Sequence, residues 1–87
     1  MSHWNHRVIR RYDKKTDTTT FQVHEVFYDD NNKIDGWSEC PVEPMGETIS
    51  ELKNELKYFM KALDEPILEE KLESGKHYLV EINVSDR

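Results

Sequence analysis

Five side chains in this sequence could do metal or nucleophile chemistry: His3 and His6, spaced H-x-x-H, with His24, Cys40 and His77. Together with nearby carboxylates they are the raw material of a zinc site. Residues three apart on a strand, however, point to opposite faces, so His3 and His6 are not a ready-made clamp. No metal site is expected. Cys40 beside a histidine could act as nucleophile and base, but a lone cysteine next to Pro41 shows no device that would lower its pKa. His24 and Glu25 are adjacent and would face opposite ways unless a β-bulge re-aims one of them. If the chain held an active site, that bulge would be its place. The run from Asp29 to Gly36 has calcium-loop composition. Beginning the register at Asn31 aligns Asp35 and Gly36 but puts Lys33 at the third ligand and Val42 at the twelfth. A hairpin turn explains it better. Gly46 near a helix start could receive an anion, yet Glu43, Glu47 and Glu51 surround it. No catalytic residue, metal ligand or cofactor is assigned, and no small-molecule substrate is evident.

The elements that would position these residues are legible in part. Thr48 followed by Glu51 is a capping box. Ile49, Leu52, Leu56, Phe59, Met60 and Leu63 then fall on one side of a 3.6-residue helix, with Glu51, Lys53, Asn54, Glu55, Lys57 and Lys61 opposite. The helix is expected to lay that apolar side on a sheet and to stop at Asp64-Glu65-Pro66. The preceding half supplies strands at about Asn5 to Tyr12, Thr18 to Tyr28 and Lys33 to Glu39. In the second of these Phe21 and Val23 share one parity while His24, Val26 and Tyr28 share the other. Either a bulge near His24 and Glu25 resets the register, which is the reading preferred, or both faces of the strand are covered by a further layer. Pro66 is placed as the first residue of a short helical turn carrying Ile67, Leu68 and Leu72, ended by Gly75. His77 to Val84 alternates, with Tyr78, Val80, Ile82 and Val84 on one face. The expected fold is α+β, one domain over residues 1–87: a three- or four-stranded antiparallel sheet with one main helix on a face, in the order βββα(α)β.

Bulk properties narrow the function classes. The chain has 87 residues, is 36% apolar and 34% charged, and has a mean hydropathy of -0.89. So small a core makes dimerisation a natural source of stability. No apolar run approaches the roughly 20 residues that span a bilayer, and residues 1–7 lack the apolar core of a secretory signal. A cytoplasmic protein without membrane contact is expected, and its single cysteine agrees with a reducing compartment. The net charge of -6 is uneven: residues 1–15 carry five basic groups against Asp13 for a net +4, leaving -10 on the rest. An acidic body disfavours broad phosphate binding. The arginines of the first strand fit better as a charged guard on a sheet edge.

Two resemblances add to this. The run His24-Glu25-Val26-Phe27-Tyr28-Asp29, Trp37, Pro41, Pro44, Gly46-Glu47-Thr48, Glu51-Leu52, Ala62-Leu63 and Pro66, together with Trp4 and Arg7-Val8, resembles a family of short bacterial proteins of uncharacterised activity. That resemblance implies no function. The order of three strands, a Gly-x-Thr-x-x-Glu-Leu helix start and a final strand is similar to HicB-like antitoxin domains with a partial ribonuclease-H-like fold, though the chain has no room for a DNA-binding appendix. The leading expectation is a noncatalytic interaction or regulatory module that binds a protein partner or a second copy of itself. Trp4, Arg7, Arg10, Arg11, Tyr12 and Trp37 are its candidate contacts. One alternative is an antitoxin-like regulator touching nucleic acid through Arg7, Arg10, Arg11 and the Lys14-Lys15 turn. The other is a small enzyme around His24, Glu25 and Cys40.

Overall fold

A computed structural model describes residues 3–83. Strands β1 (His3–Asp13), β2 (Thr18–Tyr28) and β3 (Ile34–Trp37) are followed by helix α1 (Ile49–Asp64), then β4 (Ile67–Glu73) and β5 (Lys76–Ile82). The fold is α+β, as the pattern predicts, but the sheet is larger than expected and not purely antiparallel. Five strands lie in the order β3-β2-β1-β4-β5, and β1 and β4 run parallel, with Ile9 opposite Leu68 and Arg10 opposite Glu69. The three expected N-terminal strands are present within a few residues of their predicted ends. The last strand covers Lys76–Ile82, and the expectation for Val84 lies outside the described residues.

The largest correction concerns residues 66–75. No helical turn follows Pro66. Ile67 to Glu73 is a strand, and it hairpins onto β5 through Ser74 and Gly75, both left-handed at φ 53° and 76°. Two successive left-handed residues are what a tight antiparallel hairpin requires. Strand geometry also explains why neighbours Ile67 and Leu68 are both buried: their side chains enter opposite faces of the sheet. Ile67 joins Val8 and Ala62 on the helix side, and Leu68 joins Ile9, Val26 and Tyr28 on the other.

That two-sided burial also resolves the phase conflict in β2. The β1–β2 ladder runs unbroken from His3 opposite Tyr28 to Asp13 opposite Thr18, so no bulge sits at His24 and Glu25 on that side. The irregularity lies between Phe27 and Tyr28, against β3. His24, Val26 and Tyr28 are buried on the face away from the helix. Ile34 and Trp37 from one edge of the sheet and Leu79 from the other pack on that same small cluster. Since neighbouring strands lie about 4.8 Å apart, a flat sheet would hold its edge strands far from one another. The sheet is therefore strongly curled, and its own edges cover its concave face.

Helix α1 starts as expected, with the Thr48 hydroxyl accepting from the Glu51 amide at 3.1 Å. Its apolar side is not laid squarely on the sheet. Ala62 is fully buried, while Leu52, Glu55 and Phe59 are half-buried; Ile49, Leu56, Met60 and Leu63 are exposed. The sheet takes a stripe displaced to one side of the one the periodicity marks.

Candidate interaction surface

The β1 strand is the centre of the sheet, and its side chains divide between the two faces by parity. On the concave face Arg7 is buried, with one guanidinium nitrogen donating to the Tyr28 hydroxyl at 2.9 Å and another to the Pro66 carbonyl at 2.7 Å. Arg7 thus ties β1, β2 and the start of β4 together. Beside it across the ladder lies His24, which has no exposed surface. The His24 Nδ1 sits 2.9 Å from the Ser38 carbonyl oxygen, which can only accept, so the network assigns the proton to Nδ1. Its Nε2 is buried without a hydrogen-bond partner. Burial is the main influence on this imidazole and pushes its pKa below the ordinary histidine value. His24 is a neutral core group out of reach of a substrate, and Cys40 is exposed on the connection after β3.

The other candidates fall into three kinds. Arg10 and Arg11 are neutralised by β4: Arg10 Nε donates to Glu69 at 2.7 Å, and Arg11 reaches Glu70 at 3.2 Å and the Glu39 carbonyl at 2.6 Å. Lys71 on one side and Arg10 on the other hold the Glu69 carboxyl below the usual carboxylate range. Trp37 packs on the concave cluster with Val26 and Tyr28. Trp4 and Tyr12 are the two that stay half-exposed, Tyr12 donating to the Asp17 carboxylate at 2.6 Å across the β1–β2 turn. That bond holds the Tyr12 phenol above its ordinary pKa.

Trp4 stands at the rim of a groove of about 760 Å³ between β1 and α1. Its lining includes Trp4, Asn5 and His6 from β1, and Glu55, Tyr58, Lys61 and Asp64 from α1. The His6 ring sits edge-on to Trp4 at 5.3 Å and tilted on Phe59 at 5.0 Å, with its Nε2 4.0 Å from the Glu55 carboxylate. Tyr58, half-exposed, is 6.4 Å from the same ring. The groove exists because of strand register. With Ile9 opposite Leu68, β4 begins level with Val8, so β1 from His3 to His6 extends past it. Among the described residues that edge of β1 has no ladder partner. An open main-chain edge beside an aromatic shelf can take an added extended segment.

Sequence reasoning singled out Trp4 but not His6, Glu55, Tyr58 or Lys61 as its neighbours. A signal for them exists. Trp4 and His6 share a strand face, and Tyr58 and Lys61 lie one turn apart on the flank of α1 away from its apolar stripe. Compared with protein-family models, with curated proteins and with solved structures, the chain matches none of them.

Proposed function

We propose that this protein is a noncatalytic interaction module whose partner is a protein segment bound in extended form at the open edge of β1, over the groove walled by α1. The single observation that carries this reading is the edge of β1 from His3 to His6 that, among the described residues, has no ladder partner on its β4 side, beside the exposed rings of Trp4 and Tyr58. Main-chain hydrogen bonds along such an edge supply affinity, and alternate side chains entering the groove supply selectivity. Half-exposed aromatic rings are the common anchors of protein interfaces.

The nucleic-acid alternative draws less support. Arg7 is buried, and Arg10 and Arg11 are committed to Glu69 and Glu70, which leaves little unpaired positive charge on β1 for phosphates. A catalytic role around His24 draws none, since no substrate atom reaches a side chain without exposed surface.

The test is a photo-crosslinking amino acid placed at Tyr58 and, in a separate variant, at Thr19 near the far end of the β1–β2 hairpin, both in the native cell. The Tyr58 probe is expected to capture a discrete partner, with yield falling at least about tenfold when Trp4 is changed to Ala, as for loss of an aromatic anchor. Capture of the same partner from Thr19 and not from Tyr58 would overturn the assignment.

A further inference from the structure

The groove beside Trp4 is acidic as well as aromatic. Glu55, Asp64 and Glu65 bring three carboxylates to its lining, and Lys61 offsets one of them. Asp64 and Glu65 stand at the C-terminal end of α1, the negative pole of the helix dipole, which favours a cation in its own right. The exposed rings of Trp4 and Tyr58 lie at the same place, and aromatic faces attract cations too. Three kinds of group thus agree in sign. Resting on the reading proposed above, we infer that the segment taken up at the β1 edge carries a basic side chain, arginine or lysine, that enters this groove with its stem against the Trp4 and Tyr58 rings and its charge toward Glu55 and Asp64.

Strand parity says which residue of the segment this is. Trp4 and His6 point to the helix side of the sheet, where His6 packs on Phe59, and residues directly opposite on paired strands send their side chains to the same face. In a segment paired along His3–His6, the residue level with Trp4 or His6 therefore faces the groove, while its neighbours face the other side of the sheet. His6 is largely covered, with 9% of its side chain exposed, whereas the Glu55 carboxylate 4.0 Å away is one-third exposed and open to an incoming charge. An acidic side chain at that position would meet Glu55 and Asp64 as like charges. An aliphatic one would cover carboxylates without pairing them, which costs desolvation with no return. A basic side chain alone does both, since its stem packs on apolar surface while its head keeps the charge.

A phage-displayed library of random peptides selected on the full chain tests the inference. Peptides that lose binding to a folded Trp4→Ala variant are the groove binders, and they are expected to share arginine or lysine at one aligned position. A synthetic copy with citrulline there, which keeps the length and removes the charge, should bind at least about tenfold more weakly, the scale of a cation held by an aromatic face and a carboxylate. Glu55→Gln with Asp64→Asn, two changes that preserve shape, should weaken the basic peptide by a similar factor and leave its citrulline copy unaffected. Trp4-dependent peptides without a shared basic position, or a citrulline copy that binds as tightly, overturn this inference while the extended-segment reading stands. A loss that is equal for the basic and citrulline peptides in the Glu55→Gln, Asp64→Asn variant also overturns it, because the carboxylates would then act on the fold and not on the charge. A library that yields no Trp4-dependent binder removes the groove as a site, and both readings fall together.

Discussion

At the residue scale, two polar side chains buried side by side in β1 and β2 solve their burial differently. Arg7 donates from its two terminal guanidinium nitrogens to the Tyr28 hydroxyl and the Pro66 carbonyl, partners contributed by separate elements, while its Nε is buried without a hydrogen-bond partner among the described residues. His24 stays neutral, giving its one proton to the Ser38 carbonyl. Protonating His24 would create a second N–H at Nε2 where the described residues offer no acceptor, beside the positive Arg11 that also disfavours the charge. The unfolded chain, with an ordinary histidine pKa near 6.5, binds that proton more readily than the folded one. Stability from this group is therefore complete above about pH 6.5 and declines as pH falls from there toward the depressed folded value. Urea midpoints measured between pH 7.5 and 5 should fall with decreasing pH, and His24→Gln, though less stable throughout, should flatten the part of that slope due to this imidazole. An identical slope in the variant would show that this imidazole is not its cause.

At the element scale, what was legible was local chemistry, and what was not was long-range pairing. Thr48, the stop at Pro66, and the β-branched and aromatic run of β2 can be read because each acts within a few residues of itself. The strand nature of Ile67–Glu73 cannot, because Ile67, Leu68 and Leu72 suit a helical turn equally well until β1 is known to lie alongside. The displaced seating of α1 was hidden for the same reason, since the sheet curvature decides which stripe is taken. The Trp4 half of the groove was visible as an unexplained aromatic, whereas its helix wall required the register of β4. Gly46 shows a local demand of another kind. A Cβ there would stand 2.5 Å from the Leu52 amide nitrogen and 2.9 Å from the Glu51 carbonyl carbon, backbone atoms that cannot swing aside. Gly46→Ala should cost about 1–3 kcal/mol, as overpacking does, against about 1 kcal/mol for removing the cap in Thr48→Ala. Paired denaturation curves check the order: a Gly46→Ala variant as stable as wild type would show that the approach to α1 relaxes freely.

At the scale of the whole molecule, the core is divided by the sheet into two small clusters, and β1 and β4 contribute to both. Val8 and Ile67 face the helix; Ile9 and Leu68 face the curled interior. Neither cluster is large, so a chain of this length, with a total stability of roughly 4–13 kcal/mol, depends heavily on a few side chains. The parallel joining of β1 to β4 makes Leu68 one of them: it is 1% exposed, whereas Leu72 is 64% exposed four residues further along the same strand face. A helical turn would have stacked Leu68 and Leu72 on one side, one turn apart, and both would then have packed. As a strand, the segment carries Leu72 past the core toward the hairpin tip. Leu68→Ala should therefore cost about 2–5 kcal/mol, a large share of the whole, while Leu72→Ala should change stability by no more than about 0.5 kcal/mol. Equal losses in the two variants, measured by urea denaturation, would contradict the strand assignment and with it the register that opens the Trp4 groove.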